Sequence, residues 1–527
     1  MPTLDWIGKK AVVNHHRQVP FHLLKKREDL SCGDPDSGNL LVQADNLLAL
    51  KALLPYYAGQ VKCIYIDPPY NTGNEGWVYN DNVNSSEMKT WLGKAVGKEA
   101  EDLTRHDKWL CMMYPRLQLL REFLREDGAI FISIDDNELH NLLPTMNEIF
   151  SSANFVGNLI WQKRTSPDAR LKLSDAHEYI VCYAKNIANL AFYRVPQSQK
   201  QMKGYKNPDN DPRGPWASTD FSAQGFRPNQ MYSIVTPSGR TVNPPPGNCW
   251  KNVENVYLDL VKDNRIWFGK KGDGVPRRKT FLSESPGITP WTWLSNDEVG
   301  HSQEAKAEIK ALFGDQKNVF DTPKPNRLIQ RILQVSTISG DLILDSFAGS
   351  GTTGHAVLAQ NKLDNGSRRF ILVEMDSNIC NGITATRLNK AITGYGETVG
   401  LGGGFSYCEL GSPLFDETGQ IKAEVTFHDL ARHVFFTETG SPLPEKAEKN
   451  FPLLGIINGV AVYLLYNGVL KDKRPDSGNV LTVPVLHSLP THDGPKVIYG
   501  VGCRIGATRL AQEGITFHQI PYAIKVS

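Results

Sequence analysis

An acid and an aromatic ring lie three residues apart in the tetrapeptide Asp67-Pro68-Pro69-Tyr70. The exocyclic amine of a nucleobase is a poor nucleophile, and a carboxylate together with a backbone carbonyl can accept its two N–H bonds. Pro68 has no N–H of its own, but its carbonyl can be the second acceptor. Tyr70 can hold a flat base by stacking, a contact worth about 1–3 kcal/mol. These residues therefore suit chemistry at a base amine, although a proline-terminated strand with a polar turn explains the tetrapeptide equally well.

The tetrapeptide follows a short apolar and β-branched run that begins at Val61, a pattern typical of a buried strand. Two prolines remove two backbone donors and fix φ, so the strand must end at Asp67. Open α/β sheets bind their ligands at the carboxyl ends of strands. The acid and the ring are therefore expected at a ligand-binding edge.

A second stretch, residues 340–357, reads as strand, glycine turn and helix. Gly349 and Gly351 allow the backbone to approach a ligand closely, and the first N–H groups of the helix are unpaired. A further strand ends in Glu374, which lies 23 residues after Gly351, where a nucleotide-binding fold places a ribose-binding acid. The turn also fits the dinucleotide fingerprint G-x-G-x-x-G, so this stretch alone leaves a nicotinamide-dependent dehydrogenase open.

Together the two stretches, Asp-Pro-Pro-Tyr and Asp-Ser-Phe-Ala-Gly-Ser-Gly-Thr-Thr, resemble the amino-group DNA methyltransferases. In that family the glycine turn binds S-adenosylmethionine and the acid turn binds the target base. The order, with the acid turn first, resembles the β class, and an Asp at the head of the tetrapeptide favours adenine N6 over cytosine N4. A dehydrogenase becomes a weak alternative, because nothing else in the chain supplies hydride chemistry.

The resemblance implies roles for individual residues. The catalytic group is Asp67, Pro68, Pro69 and Tyr70. The expected cofactor contacts are Asp45, Lys324, Asp345, Phe347, Gly349, Ser350, Gly351, Thr352, Thr353 and Glu374. Asp45 follows a strand and could equally be a helix N-cap. Lys324 belongs to a Lys-Pro pair, where a cation could meet the methionine carboxylate of the cofactor.

A His-Glu-Tyr-Ile run at residues 177–180 also resembles a family motif beside the base pocket. His177 is a candidate general base, but the amine proton can leave after methyl transfer, so a structural histidine is the preferred interpretation. Asp135, Asp136 and Glu138 form an acidic turn that could bind a metal. Capping of the next helix explains these acids better, and we predict no metal site.

Between residues 190 and 320 glycine, proline and aromatic residues become dense. Basic side chains interleaved with aromatic ones suit a DNA surface, and a charged, loop-rich insertion is the alternative. The predicted DNA contacts are Lys270, Lys271, Arg277, Arg278 and Lys279. The runs 236–250, 277–282 and 300–305 resemble those of modification subunits of type III restriction systems.

That resemblance implies double-stranded DNA as the substrate, a flipped target base, a homodimer, and a helicase–nuclease restriction subunit as partner. The chain contains no G-x-x-x-x-G-K-[ST] phosphate loop, so ATP-driven cleavage is expected of another subunit. Cytosine-N4 methylation is the alternative within enzymes. A DNA-recognition subunit of a larger restriction complex is the alternative from another class.

Composition sets the outer limits. The 527 residues carry a net charge of +2, so DNA binding must come from a local basic surface rather than the whole chain. The eight cysteines form neither C-x-x-C nor a zinc spacing, which indicates reduced thiols and a cytoplasmic location. No apolar run approaches 18 residues, and the N-terminus lacks a secretory pattern, so no membrane association is expected.

The resemblance implies a Rossmann-like α/β fold with a seven-stranded, permuted S-adenosylmethionine-dependent methyltransferase sheet. The predicted parts are an N-terminal arm at 1–37, a catalytic half at 38–190, a target-recognition domain at 191–317, a cofactor half at 318–410 and an α+β domain at 411–527. We expect the last of these to serve dimerisation or subunit docking.

Overall fold

A ten-stranded mixed sheet dominates the computed structural model of the chain. The structure describes residues 3–72, 104–170, 172–197, 202–314, 319–416, 418, 420–444, 451–467, 474 and 477–520. The strands of the sheet are β1 (His22–Gly33), β2 (Leu40–Gln43), β3 (Val61–Ile66), β4 (Leu124–Ile134), β5 (Phe155–Gln162), β6 (His177–Ala184), β7 (Trp293–Leu294), β8 (Leu342–Asp345), β9 (Arg369–Glu374) and β10 (Gly404–Pro413).

The strands lie in the order β1-β10-β2-β9-β8-β3-β4-β6-β5-β7. The five strands from β2 to β4 are parallel, and β6 pairs antiparallel with both β4 and β5. The seven strands from β2 to β5 correspond to the predicted sheet, so the predicted fold class is confirmed. The short β7 extends one edge, and the antiparallel pair β1 and β10 extends the other.

Helices cover both faces of the sheet. The longer helices that accompany the ten-stranded sheet are α1 (Asn46–Tyr57), α2 (Arg105–Phe123), α3 (Leu139–Phe150), α4 (Ser302–Phe313), α5 (Asn326–Ser336), α6 (Thr352–Asp364) and α7 (Thr386–Thr393). A further helix, α8 (Phe427–Thr439), packs with the C-terminal strands. Strand β3 shows why both faces must be covered, since Ile64 and Ile66 pack with α1 and α2 while Cys63 and Tyr65 pack with α5. A strand buried on both faces is typical of a parallel sheet with crossover helices.

The sheet changes winding direction between β3 and β8. From β8 the chain passes through α6 to β9 on one side, and from β3 it passes through α2 to β4 on the other. Leu344 of β8 lies beside Ile64 of β3, so the glycine turn and the acid turn leave the same edge of the sheet as neighbours. An open α/β sheet binds its ligand at such a switch point.

The N-terminal segment is part of this sheet rather than a free arm. Strand β1 pairs with β10 along its length, and Val12 from a short helix is fully buried in the core. The short helices that accompany the ten-stranded sheet are Lys9–Val12, His15–Gln18, Ser152–Asn154, Asn296–Val299, Ser377–Ile379 and Cys380–Ala385. After α7, a two-stranded ribbon pairs Gly394–Tyr395 with Thr398–Val399.

The C-terminal region after β10 has α8 and a four-stranded sheet of its own, as the predicted α+β character requires. The strands of this sheet are Leu453–Ile457, Val460–Leu464, Lys496–Gly500 and Ile515–Gln519. Smaller elements are Val480–Leu481, Val483–Ser488, Gly502–Cys503 and Ala507–Gln512. In the part of the chain that the structure describes, no helix combines the length and the apolar character needed to cross a membrane.

Residues Arg194–Pro290 form a separate compact unit, and residues 1–193 and 291–527 form the other. The smaller unit is built from short pieces around Phe221, Trp250 and Tyr257. These pieces are Trp216–Asp220, Ser222–Gln224, Pro228–Gln230, Ile234–Val235, Thr241–Val242, Asn248–Trp250, Glu254–Lys262, Ile266–Trp267, Arg277–Phe281 and Leu282–Glu284. The predicted recognition domain, 191–317, extends past this unit at both ends, and its role stays a prediction.

Candidate active site

The acid turn is held rigidly at the end of β3. All six residues of the strand are buried, and Pro68 is buried after it. The indole of Trp109 donates a hydrogen bond of 2.6 Å to the Pro69 carbonyl, which fixes the turn against α2. Farther along, the buried Asn71 contacts Glu138, which also accepts from His106 at 2.8 Å. The turn is thereby anchored to α2 on one side and to the start of α3 on the other.

Lys324 lies inside this turn. Its ammonium nitrogen is 2.9 and 2.8 Å from the two carboxylate oxygens of Asp67 and 2.9 Å from the Tyr70 hydroxyl. The Tyr70 hydroxyl is in turn 2.8 Å from Asp67 Oδ1, to which it donates. The predicted contact of Lys324 with the cofactor stays a prediction, and in this structure its charge is directed to Asp67.

Glu178 completes the cluster. Its Oε2 lies 3.1 Å from the Tyr70 hydroxyl and 3.4 Å from the Lys324 ammonium, and its Oε1 is 3.3 Å from the Lys163 ammonium. The neighbouring His177 instead packs its ring against Tyr179. Of the two neighbours it is therefore the glutamate that joins the Asp67 cluster, whereas the sequence analysis weighed only the histidine.

The two carboxylates differ in acidity because of their surroundings. Burial raises the pKa of Asp67, and Lys324 only partly offsets it. Burial acts on Glu178 in the same direction, but Lys324 and Lys163 outweigh it and the pKa of Glu178 is lowered. Burial disfavours the Lys324 ammonium, yet Asp67 and Glu178 together raise its pKa. Glu178 therefore stays ionised as a counterion, and Asp67 is the more basic carboxylate.

A cavity of about 510 Å³ opens above the cluster. Asp67, Pro68, Tyr70 and the buried Trp161 are among its lining residues, and the Lys324 ammonium lies 5.0 Å from the Tyr70 ring centre and 5.8 Å from that of Trp161. Pockets of about 300–1,000 Å³ that combine apolar rings with a few polar groups are typical of small-ligand sites. A flat aromatic ring carrying an amine fits this lining, with the amine toward Asp67.

The glycine turn between β8 and α6 has the backbone that its sequence predicts. Gly349 and Gly351 have φ values of 50° and 79°, in the left-handed region that favours glycine. A Cβ on Gly351 would lie 3.0 Å from the Thr384 methyl group, so the turn also packs too tightly for a side chain. The buried Glu374 carboxylate accepts from the Gly349 amide at 2.9 Å, which ties the turn to the end of β9.

Several side chains of this turn serve its internal structure. Asp345 accepts from the Phe347 amide at 2.9 Å and from the Thr353 hydroxyl at 2.5 Å, and burial raises its pKa to about 7. The buried Arg387 donates to the hydroxyls of Ser350 at 3.0 Å and Thr352 at 2.8 Å. The Ser350 and Thr352 side chains thus hold the turn on α7, and their cofactor contacts stay predictions.

A second, narrower cavity lies between this turn and the Phe320–Lys324 segment. Asp345, Phe347, Gly349 and Thr353 line one side of it. Asp67 and Lys324 line both this cavity and the larger one, so the two cavities meet at that ion pair. Backbone amides, acids and one cation around a glycine turn fit the chemistry of S-adenosylmethionine, whose amino-acid end carries both charges.

Asp45 is a helix N-cap in this structure. Its carboxylate accepts from the amides of Leu47 and Leu48 at 2.9 and 3.1 Å, and it pairs with the buried Arg116 at 2.9 Å. The capping alternative is therefore observed, and the cofactor role of Asp45 stays a prediction.

The five predicted DNA contacts lie in the smaller unit and are placed unequally. Lys270, Lys271, Arg277 and Arg278 are exposed, and Arg277 pairs with Asp220. Lys279 is buried between Asp209 and Asp211, with both of which it forms ion pairs. A cation held in this way cannot reach a phosphate without breaking both pairs. The prediction for Lys279 is corrected to a structural role, and those for the other four stay predictions.

A family model described as DNA methylase matches residues 61–386, the range that holds both turns. The type III restriction-modification enzyme StyLTI Mod subunit of Salmonella typhimurium is 41% identical over 405 residues, which cover 73% of this chain and 60% of that protein. The EcoPI Mod subunit of Escherichia phage P1 is 33% identical, with coverages of 71% and 63%.

The type II methyltransferase M.KpnI of Klebsiella pneumoniae is 32% identical over 364 residues, which cover 66% of this chain and 82% of that protein. The chain thus spans about three fifths of the length of the type III relatives it matches.

Proposed function

Since this chain belongs to the DNA methylase family, we propose that it transfers a methyl group from S-adenosylmethionine to the N6 amine of a flipped adenine in double-stranded DNA. The observation that carries the proposal is the meeting of two cavities at Asp67. One cavity is lined by the acid turn and the other by the glycine turn. A base amine held in the first would face a sulfonium methyl group held in the second.

The residues of the acid turn position the amine. Asp67 and the Pro68 carbonyl accept its two hydrogens, which favours a pyramidal nitrogen whose lone pair is directed at the methyl group. Tyr70 and Trp161 hold the ring from the cavity walls. Positioning of this kind removes much of the entropic barrier of a two-reactant step. The base must leave the DNA stack to reach this depth.

When bound, S-adenosylmethionine would supply an electrophilic methyl group and a neutral thioether leaving group. Glu374, the Gly349 turn and Phe347 are the residues that would hold it. The amine nitrogen forms the new N–C bond as the S–C bond breaks, and the nitrogen becomes cationic. Its excess proton then passes to solvent water, which restores the neutral amine. Asp67 and Glu178 supply negative charge beside that nitrogen as its positive charge develops.

Lys324 must give way during this sequence, because its ammonium holds the oxygens that the amine needs. Glu178 lies 3.4 Å from the same ammonium, so the cation can keep a partner when it leaves Asp67. Adenine is preferred to cytosine because the tetrapeptide begins with Asp.

The names of the relatives support a place in a restriction-modification system. Two of them are Mod subunits of type III enzymes, so we assign this chain the modification role and a separate restriction subunit the cleavage role. A homodimer and a cytoplasmic location belong to the same proposal. The exposed Lys270, Lys271, Arg277 and Arg278 supply phosphate contacts to the duplex.

Mass spectrometry of nucleosides tests the reaction. Purified protein is incubated with unmethylated plasmid and S-adenosylmethionine, and the DNA is digested. N6-methyladenine is the expected product. N4-methylcytosine would select the alternative base. Unmodified DNA, from protein that binds both the cofactor and the plasmid, would reject an enzymatic role and favour a DNA-recognition subunit.

A further inference from the structure

A third opening, of about 420 Å³, adjoins the catalytic cavity, and among the described residues it shares none of its lining with the narrower cavity at the glycine turn. It lies between residues 163–169, after β5, and residues 301–306, at the start of α4. We call it the basic groove. Lys163, Arg164, Ser302 and Lys306 line both the groove and the catalytic cavity, so the two adjoin along these residues. A ligand could therefore occupy both at once.

The groove and the cavity differ in charge. Three of the residues that line both openings are cationic: Lys163, Arg164 and Lys306. Among the described residues that line the groove, the one acid is Asp168. Asp168 is already paired with Arg170, at 2.7 and 2.9 Å. The cavity instead contains several carboxylates besides Asp67 and Glu178. An anion is therefore favoured in the groove and a group with N–H donors in the cavity.

The cations at the border are not equivalent. Lys163 lies 3.3 Å from Glu178 and serves the catalytic cluster. Arg164 and Lys306 have exposed side chains, and within the described part of the chain neither has a carboxylate within 4 Å. Arg164 contributes to lowering the pKa of Asp168, whose direct partner is Arg170. These two charges are the ones available to a ligand.

The walls that carry these cations are fixed. The buried Trp161 donates to the Gly300 carbonyl at 2.9 Å, and the Ser302 amide donates to the Lys163 carbonyl at 3.1 Å. Ala305 and Ile309 bury the inner face of α4, which leaves Lys306 on its outer side. His301 caps α4 by accepting from the Glu304 amide at its Nδ1, so in the neutral ring Nε2 carries the proton and is a donor. The groove therefore offers two cations and, at His301 Nε2, one further donor.

We propose that the basic groove binds the DNA backbone phosphate next to the flipped base, with Arg164 and Lys306 as its partners. This inference rests on the proposed function, because it assigns the base to the adjoining cavity. A flipped nucleotide carries an anion on each side of a neutral base, which matches a cationic groove beside a cavity built for an amine. The phosphate contact would add affinity for DNA equally before and during methyl transfer, and it would contribute no sequence information.

Small probes test the site without a known recognition sequence. Binding of deoxyadenosine and of its 5′- and 3′-monophosphates to the full chain is measured by calorimetry. We expect one monophosphate to bind about tenfold more tightly than the nucleoside, the gain of a single charge-assisted contact. Arg164→Gln and Lys306→Gln should each remove most of that advantage. Lys310→Gln is the matched control, because it removes the same charge one turn farther along α4, outside the groove.

Equal affinities of the nucleoside and both monophosphates for the parent would overturn the proposal. So would a phosphate advantage that survives both groove substitutions. Circular dichroism and S-adenosylmethionine binding should be the same in all variants, which separates a lost contact from a misfolded chain.

DNA methylation gives a second, distinguishable readout. The groove variants should raise KM for DNA, leave kcat near the parent value and reduce the slope of log KM against log salt concentration by about one. A fall in kcat at unchanged KM would contradict a phosphate contact. A parent that binds the monophosphate but methylates no DNA would defeat the proposed function and leave the phosphate site standing.

Discussion

Lys324 places its ammonium 2.9 and 2.8 Å from the two carboxylate oxygens of Asp67, although 257 positions separate the two residues in the chain. The proposed acceptor of the base amine is therefore engaged by a cation that the fold brings to it. That cation lowers the pKa of Asp67, against the effect of burial. The pH dependence of the reaction should report this balance.

Replacing Lys324 with methionine should move the acid limb of the pH–rate profile to higher pH. Burial raises the pKa of Asp67, and without the ammonium nothing of equal size opposes it. Ionised Asp67 is the active form, so activity should disappear earlier as the pH falls. The profile of kcat/KM between about pH 5 and about pH 9 measures the shift. Lys324→Arg keeps the charge and should stay near the parent, while an unmoved limb in Lys324→Met would show that this ammonium does not control Asp67.

Replacing Glu178 with glutamine should move the same limb the other way. The Glu178 carboxylate raises the pKa of Asp67 by repulsion, and it also shares Lys324. The neutral glutamine removes this repulsion, and the Lys324 ammonium then has Asp67 as its one carboxylate partner in the cluster. The acid limb should therefore shift to lower pH, opposite in sign to Lys324→Met. Shifts of the same sign in both variants would be incompatible with this electrostatic account.

Adding a methyl group at Gly351 should weaken cofactor binding. The backbone there has φ of 79° and the new Cβ would lie 3.0 Å from Thr384, so the turn must distort at a cost of about 1–2 kcal/mol. Isothermal titration with S-adenosylmethionine should show about a tenfold loss of affinity for Gly351→Ala. Gly382→Ala is the control, because no atom lies within 4 Å of its added Cβ. Equal losses in both variants would count against a special role of the turn.

Asp345 should make stability depend on pH in a definite direction. Burial raises its folded pKa from 3.8 to about 7. The folded chain thus holds a proton that the unfolded chain releases above about pH 4. The contribution of Asp345 to stability is complete below about pH 4 and is lost as the pH rises through about 7. Asp345→Asn cannot ionise, so its Tm relative to the parent should be higher at about pH 8 than at about pH 5. A difference in Tm that does not change with pH would contradict this.

The parts of the site that depend on local sequence were predictable. Strands β3 and β8 are apolar runs cut off by prolines or glycines, so the strand ends, the acid turn and the glycine turn could all be placed from the chain alone. The predicted α/β sheet is confirmed for the same reason. The assignment of single residues to the cofactor and to the base stays a prediction.

The parts that depend on distant contacts were not predictable. Lys324 lies just before α5 and Glu178 lies on β6, and both reach the Asp67 cluster at the end of β3 only in the folded chain. Lys279 looks like its basic neighbours in the sequence, but its partners Asp209 and Asp211 lie 70 and 68 positions earlier. Nothing near Lys279 in the chain distinguishes a buried ion pair from a surface cation.

The most direct test of the account is single-molecule sequencing of DNA from cells that express either the parent chain or its Asp67→Ala variant. We predict N6-methyladenine at one sequence motif with the parent and none with the variant, while the purified variant still binds S-adenosylmethionine. Adenine methylation by the Asp67→Ala variant at the parent level would contradict the central claim that this carboxylate positions the base amine.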